Sequence, residues 1–304
     1  MGRSGTSAVT RVLALTGVAL PGGMVGSDKH NPRGYWEPRG AIYLNETILR
    51  RHDSNWYDPT LRLDEDGAFS AEDRAACIAQ IGQYLATLPA APVVVIKDLR
   101  ITSLSELWFE AARCNGFDVA TVISLRHPQE VIPSCAKYVR ITPELSSALW
   151  LKYNLQAERF TRGVPRVVVD YANLLKDWRH EVARVQAALD IDLSHQDVEA
   201  LDEFLTPDLQ RNRDSGPVAD RFGTDWMSTV YDVLTAAARD EPWDAAELDR
   251  VYAAYHASER DFRAAQEDFR TQTNSLIRKV FRPFIVKPMH AAIAMAHGRK
   301  GPWA

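Results

Sequence analysis

The chain has 304 residues, 46% of them hydrophobic and 25% charged, a composition that excludes a disordered or fibrous protein. Its formal net charge of −4 argues against a generally basic protein that binds nucleic acid. The three cysteines are far apart and form no CxxC pair, which argues against a disulfide framework or a metal site. The sequence also lacks an apolar run of about 18 residues and the apolar segment of a signal peptide. We therefore expect a cytoplasmic protein.

Three short apolar runs predict buried strands of a parallel sheet, at Val93–Ile96, Val119–Ile123 and Arg166–Val169. Each run is continuously apolar rather than alternating, as in strands that are covered on both faces. Helical stretches separate the runs, which is the pattern of βαβ connections. We expect an α/β fold with a P-loop-like parallel sheet flanked by helices.

Capping residues mark the ends of several predicted helices. Ser70 precedes a helix that runs to about Leu88, and Thr142 is followed by proline at the first position of another. Gly116 ends the helix before the second predicted strand. Beyond residue 193 only helices are predicted, near Asp197–Leu205, Trp226–Arg239 and Trp243–Phe269.

These patterns indicate a single domain over residues 1–304. An α/β nucleotide-binding core would span residues 1–215, and a helical extension would span residues 216–304. The extension ends in a basic tail, because Phe269–Ala304 contains seven basic residues and no acidic one.

A glycine-rich loop opens the chain and runs directly into a predicted helix at Ala8–Leu15. Backbone N–H groups, the helix dipole, the hydroxyls of Thr6 and Ser7 and the Arg3 guanidinium would together cradle a phosphate or sulfate. The predicted cradle consists of Gly2, Arg3, Ser4, Gly5, Thr6 and Ser7. It is not a Walker A loop, since glycine and not lysine precedes Thr6. Such loops normally follow a strand, so we expect either that residues before Met1 are missing, which we favour, or that the sheet lacks a central strand.

A second anion site is predicted after the second strand. Arg126 lies at the carboxyl end of that strand, where open α/β sheets bind ligands, and Ser134 follows eight residues later. If the chain folds back over the strand end, both side chains would contact the same anion.

The order of these motifs resembles that of the sulfotransferases that use 3′-phosphoadenosine 5′-phosphosulfate (PAPS). In the bacterial branch the loop reads G-R-x-G-T-S and the next strand ends in K-D-P-R; here the second motif is Lys97-Asp98-Leu99-Arg100, with leucine in place of proline. The resemblance covers roughly residues 1–215. It implies that Arg3, Gly5, Thr6 and Ser7 bind the 5′-phosphosulfate, that Arg126 and Ser134 bind the 3′-phosphate, and that no metal is needed.

The resemblance also implies roles for other residues. Arg3 would neutralise charge on the leaving 5′-phosphate, and a late basic loop with Arg211 and Arg213 would close over the nucleotide. The cytosolic branch stacks adenine on a tryptophan after the loop, but this chain has Ala8 there, so any stacking group lies elsewhere.

The transfer needs a base for the acceptor hydroxyl. Glu37 is the first candidate, because it lies in a loop with glycine and aromatic residues that resembles the family's N-P-x-G-x-x-E segment. Asp98, at a strand end, is the second, and His30 and His127 are the third. Trp36, Trp56 and Tyr57 suggest aromatic platforms suited to sugars or phenols. By family analogy the acceptor is a carbohydrate or glycolipid hydroxyl.

Two other functions stay open. A P-loop phosphotransferase would use Asp170, at the end of the third predicted strand, to anchor magnesium. A non-catalytic protein that binds a membrane surface or a partner would use Leu276–Lys287, where basic and apolar residues alternate. The same segment would place an enzyme at the inner face of the membrane.

Overall fold

The computed structural model describes residues 1–28, 31–206, 216–274 and 283–296. The protein is mixed α/β and mostly helical. Its helices are α1 (Thr6–Leu15), α2 (Arg39–Arg51), α3 (Ala71–Leu85), α4 (Ser105–Cys114), α5 (Pro128–Tyr138), α6 (Pro143–Phe160), α7 (Tyr171–Lys176), α8 (Trp178–Leu189), α9 (Val198–Phe204), α10 (Trp226–Ala237), α11 (Ala245–Asn274) and α12 (Pro283–Ala296). Short 3₁₀ helices span Arg62–Asp64 and Leu99–Leu104.

A small parallel sheet lies in this helical framework. Strand β1 (Thr121–Leu125) pairs in parallel with β2 (Arg166–Asp170), and Thr121 faces Arg166 across the pair. The second and third predicted strands are therefore confirmed, with β1 beginning two residues later than predicted. Both strands end at the same edge, so Arg126 leaves the sheet beside Asp170.

The first predicted strand, Val93–Ile96, is wrong. Its backbone forms one isolated parallel bridge, in which the Ala19 N–H donates to the Val93 carbonyl and the Val95 N–H donates to the Ala19 carbonyl. A strand needs a partner over several residues, and here a single residue supplies it. Within the described residues no backbone hydrogen bond joins this bridge to β1 or β2. The larger P-loop-like sheet stays a prediction.

The predicted helix caps are confirmed. The Ser70 hydroxyl accepts a hydrogen bond from the Asp73 N–H at 3.1 Å, and the Thr142 hydroxyl accepts one from the Leu145 N–H at 3.2 Å. Gly116 follows α4 with a φ of +78°, a backbone conformation that glycine adopts readily. Helix ends differ from the predicted ones by a few residues, because the fraying of a last turn leaves no sharp sequence signal.

Among the described residues, two hydrophobic cores hold the framework together. In the first, residues of α1, α8 and α9 pack against β2. In the second, residues of α2, α3 and α4 pack on one another around Trp108. Since α1 is anchored along one face by Val12 and Leu13, its first turn is held beside the carboxyl end of the sheet.

The chain divides into two compact units, Met1–Ala254 and Tyr255–Ala304. The first unit contains the sheet and both cores. The second contains the C-terminal part of α11 and α12. Helix α10 belongs to the first unit and packs against α6 and β2. The predicted boundary at residue 215 stays a prediction.

Three predicted functional segments lie partly or wholly outside the described residues. They are the candidate base His30, the nucleotide-closing arginines Arg211 and Arg213, and residues 276–282 of the basic stretch. None of the described helices combines the length and the apolar character needed to cross a membrane.

Candidate active site

The predicted site residues converge on one cavity of about 820 Å³ in the first unit. This volume lies in the upper part of the range of about 300–1,000 Å³ that is typical of small-molecule sites. Of the predicted residues, the following line it: Gly2, Arg3, Gly5, Thr6, Ser7, Trp56, Tyr57, Glu37, Arg126 and Ser134. Sequence positions 131 residues apart thus meet at one surface.

The start of α1 forms the part of the cavity wall where the sequence predicts an anion. Gly5 precedes the helix with a φ of +83°, and a Cβ at this position would overlap the ring of Tyr171. The first hydrogen bond of the helix runs from the Ala8 N–H to the Gly5 carbonyl, and no described side chain caps this end. Within the described chain the N–H groups of Thr6 and Ser7 therefore make no backbone hydrogen bond, which favours an anion there.

One member of the predicted cradle faces the core. Ser4 is almost fully buried and does not line the cavity. Its carbonyl accepts a hydrogen bond from the Ser124 hydroxyl at 2.7 Å, which ties the loop to β1. Ser4 therefore positions the loop through its backbone.

Arg3 links the two predicted anion sites directly. Its Nε donates to the Ser134 Oγ at 3.0 Å, and its guanidinium lies 4.8 Å from the centre of the Tyr138 ring. Arg126 in turn donates from Nη1 to the Arg3 carbonyl at 3.1 Å. Burial lowers the pKa of the Arg3 guanidinium, which nevertheless stays charged at neutral pH. The two sites are thus contiguous.

Arg126 is held by a buried carboxylate. Its Nε donates to Glu130 Oε2 at 2.6 Å, and both side chains are at most one-tenth exposed. Its guanidinium also lies 4.7 Å from the centre of the Tyr171 ring. These contacts fix the fork of Arg126 at the carboxyl end of β1.

Glu37 and Lys97 form an ion pair at the edge of the loop. Lys97 Nζ lies 2.7 Å from Glu37 Oε1, and it also donates to the Tyr35 carbonyl at 2.9 Å and to Ser7 Oγ at 3.2 Å. The Ser7 hydroxyl donates to the same Tyr35 carbonyl at 3.0 Å. The predicted base is therefore in contact, through one lysine, with the predicted phosphosulfate loop.

The second candidate base, Asp98, does not line the cavity. Its side chain is fully buried and accepts hydrogen bonds from Asn45 Nδ2 at 2.9 Å and from Arg100 Nη1 at 2.9 Å. The Arg100 N–H also donates to Asp98 Oδ1 at 3.3 Å, which caps the 3₁₀ helix that begins at Leu99. His127 is a helix cap, since its Nδ1 accepts a hydrogen bond from the Gln129 N–H, and it does not line the cavity either.

Two residues of the site, Lys97 and Tyr171, are not predicted as such from the sequence. Lys97 belongs to the Lys97–Arg100 motif, and its position after the Val93–Ile96 run is a usable signal. Tyr171, which closes the cavity against Gly5 and Arg126, carried no signal. Trp36 was predicted as an aromatic platform, but it does not line the cavity.

Trp56 and Tyr57 form an aromatic pair in the wall of the cavity. Their ring centres lie 3.5 Å apart with an angle of 33° between the planes. The Tyr153 hydroxyl of α6 donates to the Trp56 carbonyl at 2.9 Å, which holds the pair in place. The Arg100 guanidinium also lies 5.9 Å from the centre of the Trp56 ring.

Asp170, the predicted magnesium anchor of a phosphotransferase, is used in a different way. Its Oδ1 accepts a hydrogen bond from the Ala172 N–H at 2.7 Å and so caps α7. Burial raises the pKa of the Asp170 carboxyl, and the side chain does not line the cavity. The geometry therefore gives the phosphotransferase hypothesis no support at this residue.

Comparisons of the chain with protein-family models, with curated proteins and with solved structures find no match.

Proposed function

We propose that this protein transfers a sulfuryl group from PAPS to a hydroxyl of an acceptor. One observation carries the proposal: a single cavity holds an uncapped helix N-terminus, the cations Arg3, Lys97 and Arg126, and the carboxylate Glu37. A donor with two separate anionic groups needs several cations, and the transfer needs one base.

The donor would lie along the contiguous anion sites. The N–H groups at the start of α1 and the hydroxyls of Thr6 and Ser7 would receive the phosphosulfate. Arg126 and Ser134 would receive the 3′-phosphate, since the guanidinium fork suits a phosphate. Arg3, which contacts Ser134 and borders the loop, would lie between the two groups.

The reaction would be an in-line displacement at sulfur. Glu37 takes the proton of the acceptor hydroxyl, the hydroxyl oxygen forms a bond to sulfur, and the bond from sulfur to the bridging oxygen breaks. The electron pair of that bond stays on the 5′-phosphate of the leaving adenosine 3′,5′-bisphosphate (PAP). Lys97 and Arg3 would stabilise the charge that grows there.

The acceptor would enter beside the aromatic pair. Trp56 and Tyr57 place aromatic side chains in the cavity wall, and aromatic rings are suited to contact the apolar surface of a sugar. This supports the carbohydrate or glycolipid expected from the resemblance, which stays a proposal together with the peripheral membrane contact.

Calorimetric titration with PAP tests the donor assignment. PAP should bind with one-to-one stoichiometry in the presence of a chelator, because the cavity supplies its own cations. ATP with Mg²⁺ is the matched comparison and should bind at least tenfold more weakly. A protein that ignores PAP, or that binds ATP tightly only with Mg²⁺, would contradict the proposal and favour the phosphotransferase.

A further inference from the structure

Trp36 has a backbone conformation that is unusual for a bulky residue. Its φ is +56°, in the left-handed region, and Gly34 two residues earlier has a φ of +90°. A large aromatic residue rarely adopts this conformation unless its surroundings hold it there. Such positions cluster at functional sites, so the contacts that maintain this one are informative.

Two contacts hold the indole of Trp36. Its Nε1 donates to the Arg33 carbonyl at 2.9 Å, and the guanidinium of Arg11 lies 4.6 Å from the ring centre. Arg11 belongs to α1, the helix whose first turn forms the anion-binding loop. The indole therefore docks its own loop onto that helix.

The chain on both sides of Trp36 is fixed as well. On one side, the Tyr35 carbonyl accepts hydrogen bonds from Ser7 and Lys97. On the other, the Glu37 carbonyl accepts a hydrogen bond from the Val25 N–H at 2.7 Å. Trp36 is thus the single residue that turns the chain between two anchored points.

This turn has a direct consequence at the cavity. The Tyr35 carbonyl and the Glu37 carboxylate reach the same ammonium of Lys97, at 2.9 and 2.7 Å. Both residues line the cavity and Trp36 does not. Any effect of Trp36 on the chemistry must therefore pass through its neighbours.

We propose that Trp36 is a positioning residue: its left-handed turn, locked by Arg11 and the Arg33 carbonyl, sets the Glu37 carboxylate on Lys97 beside the phosphosulfate loop. The role in the reaction rests on the proposed function. The geometric role does not, because the placement of Glu37 is measurable in the protein alone.

The first test is a crystal structure of Trp36→Leu, which removes both indole contacts. The distance from Lys97 Nζ to the Glu37 carboxylate should exceed 4 Å, while Arg3, Ser134 and Arg126 keep their places. If this distance stays below 4 Å, the proposal is wrong whether or not the protein binds PAP. Trp36→Phe keeps a ring under Arg11 and loses the N–H, so the Glu37 carboxylate should move by a smaller distance than in Trp36→Leu. This variant tests the proposal if the leucine variant does not fold.

The second test is PAPS hydrolysis, with water as the acceptor, measured as release of labelled sulfate. Trp36→Leu should lower the rate at least tenfold and change PAP affinity less than threefold. In a Glu37→Gln background the same substitution should have no further effect, since the two residues act in one unit. Equal losses in both backgrounds, or a parallel loss of PAP affinity, would show a general structural role and overturn the proposal.

Trp243→Leu is the matched control. Trp243 also lies under an arginine, Arg166, at 5.5 Å from its ring centre, and it does not line the cavity. Its loss should leave PAPS hydrolysis within twofold of the wild-type rate. A tenfold loss in this variant would show that removal of any arginine-stacked tryptophan gives the effect, which would overturn the specific role of Trp36. Failure of PAP to bind the wild type would contradict the proposed function and leave the crystallographic test decisive.

Discussion

At the scale of single residues, Glu37 and Asp98 differ in their exposure to the cavity and in their hydrogen bonds. Glu37 faces the cavity and contacts one lysine, and its side chain is 14% exposed. Asp98 is fully buried and already accepts hydrogen bonds from Asn45 and Arg100. A base must be within reach of the proton that it removes, and of these two carboxylates only Glu37 lines the cavity.

Glu37→Gln should lower PAPS turnover by about 10²–10⁴-fold, the usual contribution of a general base, and leave PAP affinity unchanged. The amide keeps the size of the side chain and still accepts a hydrogen bond from Lys97. Release of PAP from PAPS measures the rate. Asp98→Asn is the matched variant: it should lower the free energy of unfolding by about 1–3 kcal/mol and affect turnover little. Normal turnover in Glu37→Gln with an inactive Asp98→Asn that still binds PAP would move the base to Asp98.

Substitutions of Arg3 and Arg126 should affect turnover and PAP binding differently, although the two residues are in contact. Arg3→Ala should mainly lower turnover, because in the proposed reaction its guanidinium would face the charge that grows during transfer. Arg126→Lys keeps a positive charge for the buried Glu130 but loses the fork, so it should weaken PAP binding about tenfold. Kinetic constants for PAPS and calorimetry with PAP separate the two effects.

Ser134→Ala tests the contact between Arg3 and Ser134 separately from either arginine. It removes the hydroxyl that accepts from Arg3 and leaves the Arg126 contact to the Arg3 carbonyl in place. PAP binding should weaken about fivefold, as expected for one lost hydrogen bond of about 1 kcal/mol. If Arg3→Ala and Arg126→Lys gave the same profile of binding and turnover, the division of roles would be wrong.

At the scale of elements, the shape of the predicted anion site depends on the close approach of α1 to Tyr171, the residue after β2. Gly5 precedes α1 and Tyr171 directly follows β2, and the two are in contact. Only glycine fits here, because the site combines a positive φ with a ring at the position of a side chain.

Gly5→Ala should therefore destabilise the fold by about 2–4 kcal/mol, through left-handed backbone strain and overpacking against Tyr171. Urea unfolding measures the loss. Gly67→Ala is the matched control, since Gly67 has a φ of +81° and no described atom lies within 4 Å of the place that an alanine methyl would take. Gly67→Ala should lower the free energy of unfolding by the backbone strain alone, about 1–2 kcal/mol. Equal losses in the two variants would show that Tyr171 does not constrain the loop.

At the scale of the whole molecule, the proposed donor would contact three separate parts of the fold at once. It would contact the loop before α1, the end of β1 and the middle of α5. At 100 times its dissociation constant, a ligand of the native state adds about 2.7 kcal/mol to stability. PAP should accordingly raise the melting temperature by about 4–8 °C. Adenosine 5′-phosphate lacks the group assigned to Arg126 and Ser134, so it should give a clearly smaller shift. Equal shifts for the two nucleotides would contradict that assignment.

The features that the sequence determined by itself are those that local chemistry controls. The caps at Ser70 and Thr142, the turn at Gly116 and the apolar runs of β1 and β2 were all readable, because each depends on a few neighbouring residues. The glycine-rich loop before α1 belongs to the same class, since an uncapped helix start follows from its own residues.

Only the tertiary structure decided which side chains meet. The Arg3–Ser134 contact joins residues 131 apart in sequence and the Glu37–Lys97 pair joins residues 60 apart, so no local preference encodes either. The same reason explains the error at Val93–Ile96, whose apolar character predicts burial but not a strand partner. It also explains why Asp98 is a candidate base in sequence but not in the structure: its buried partner Asn45 lies 53 residues away.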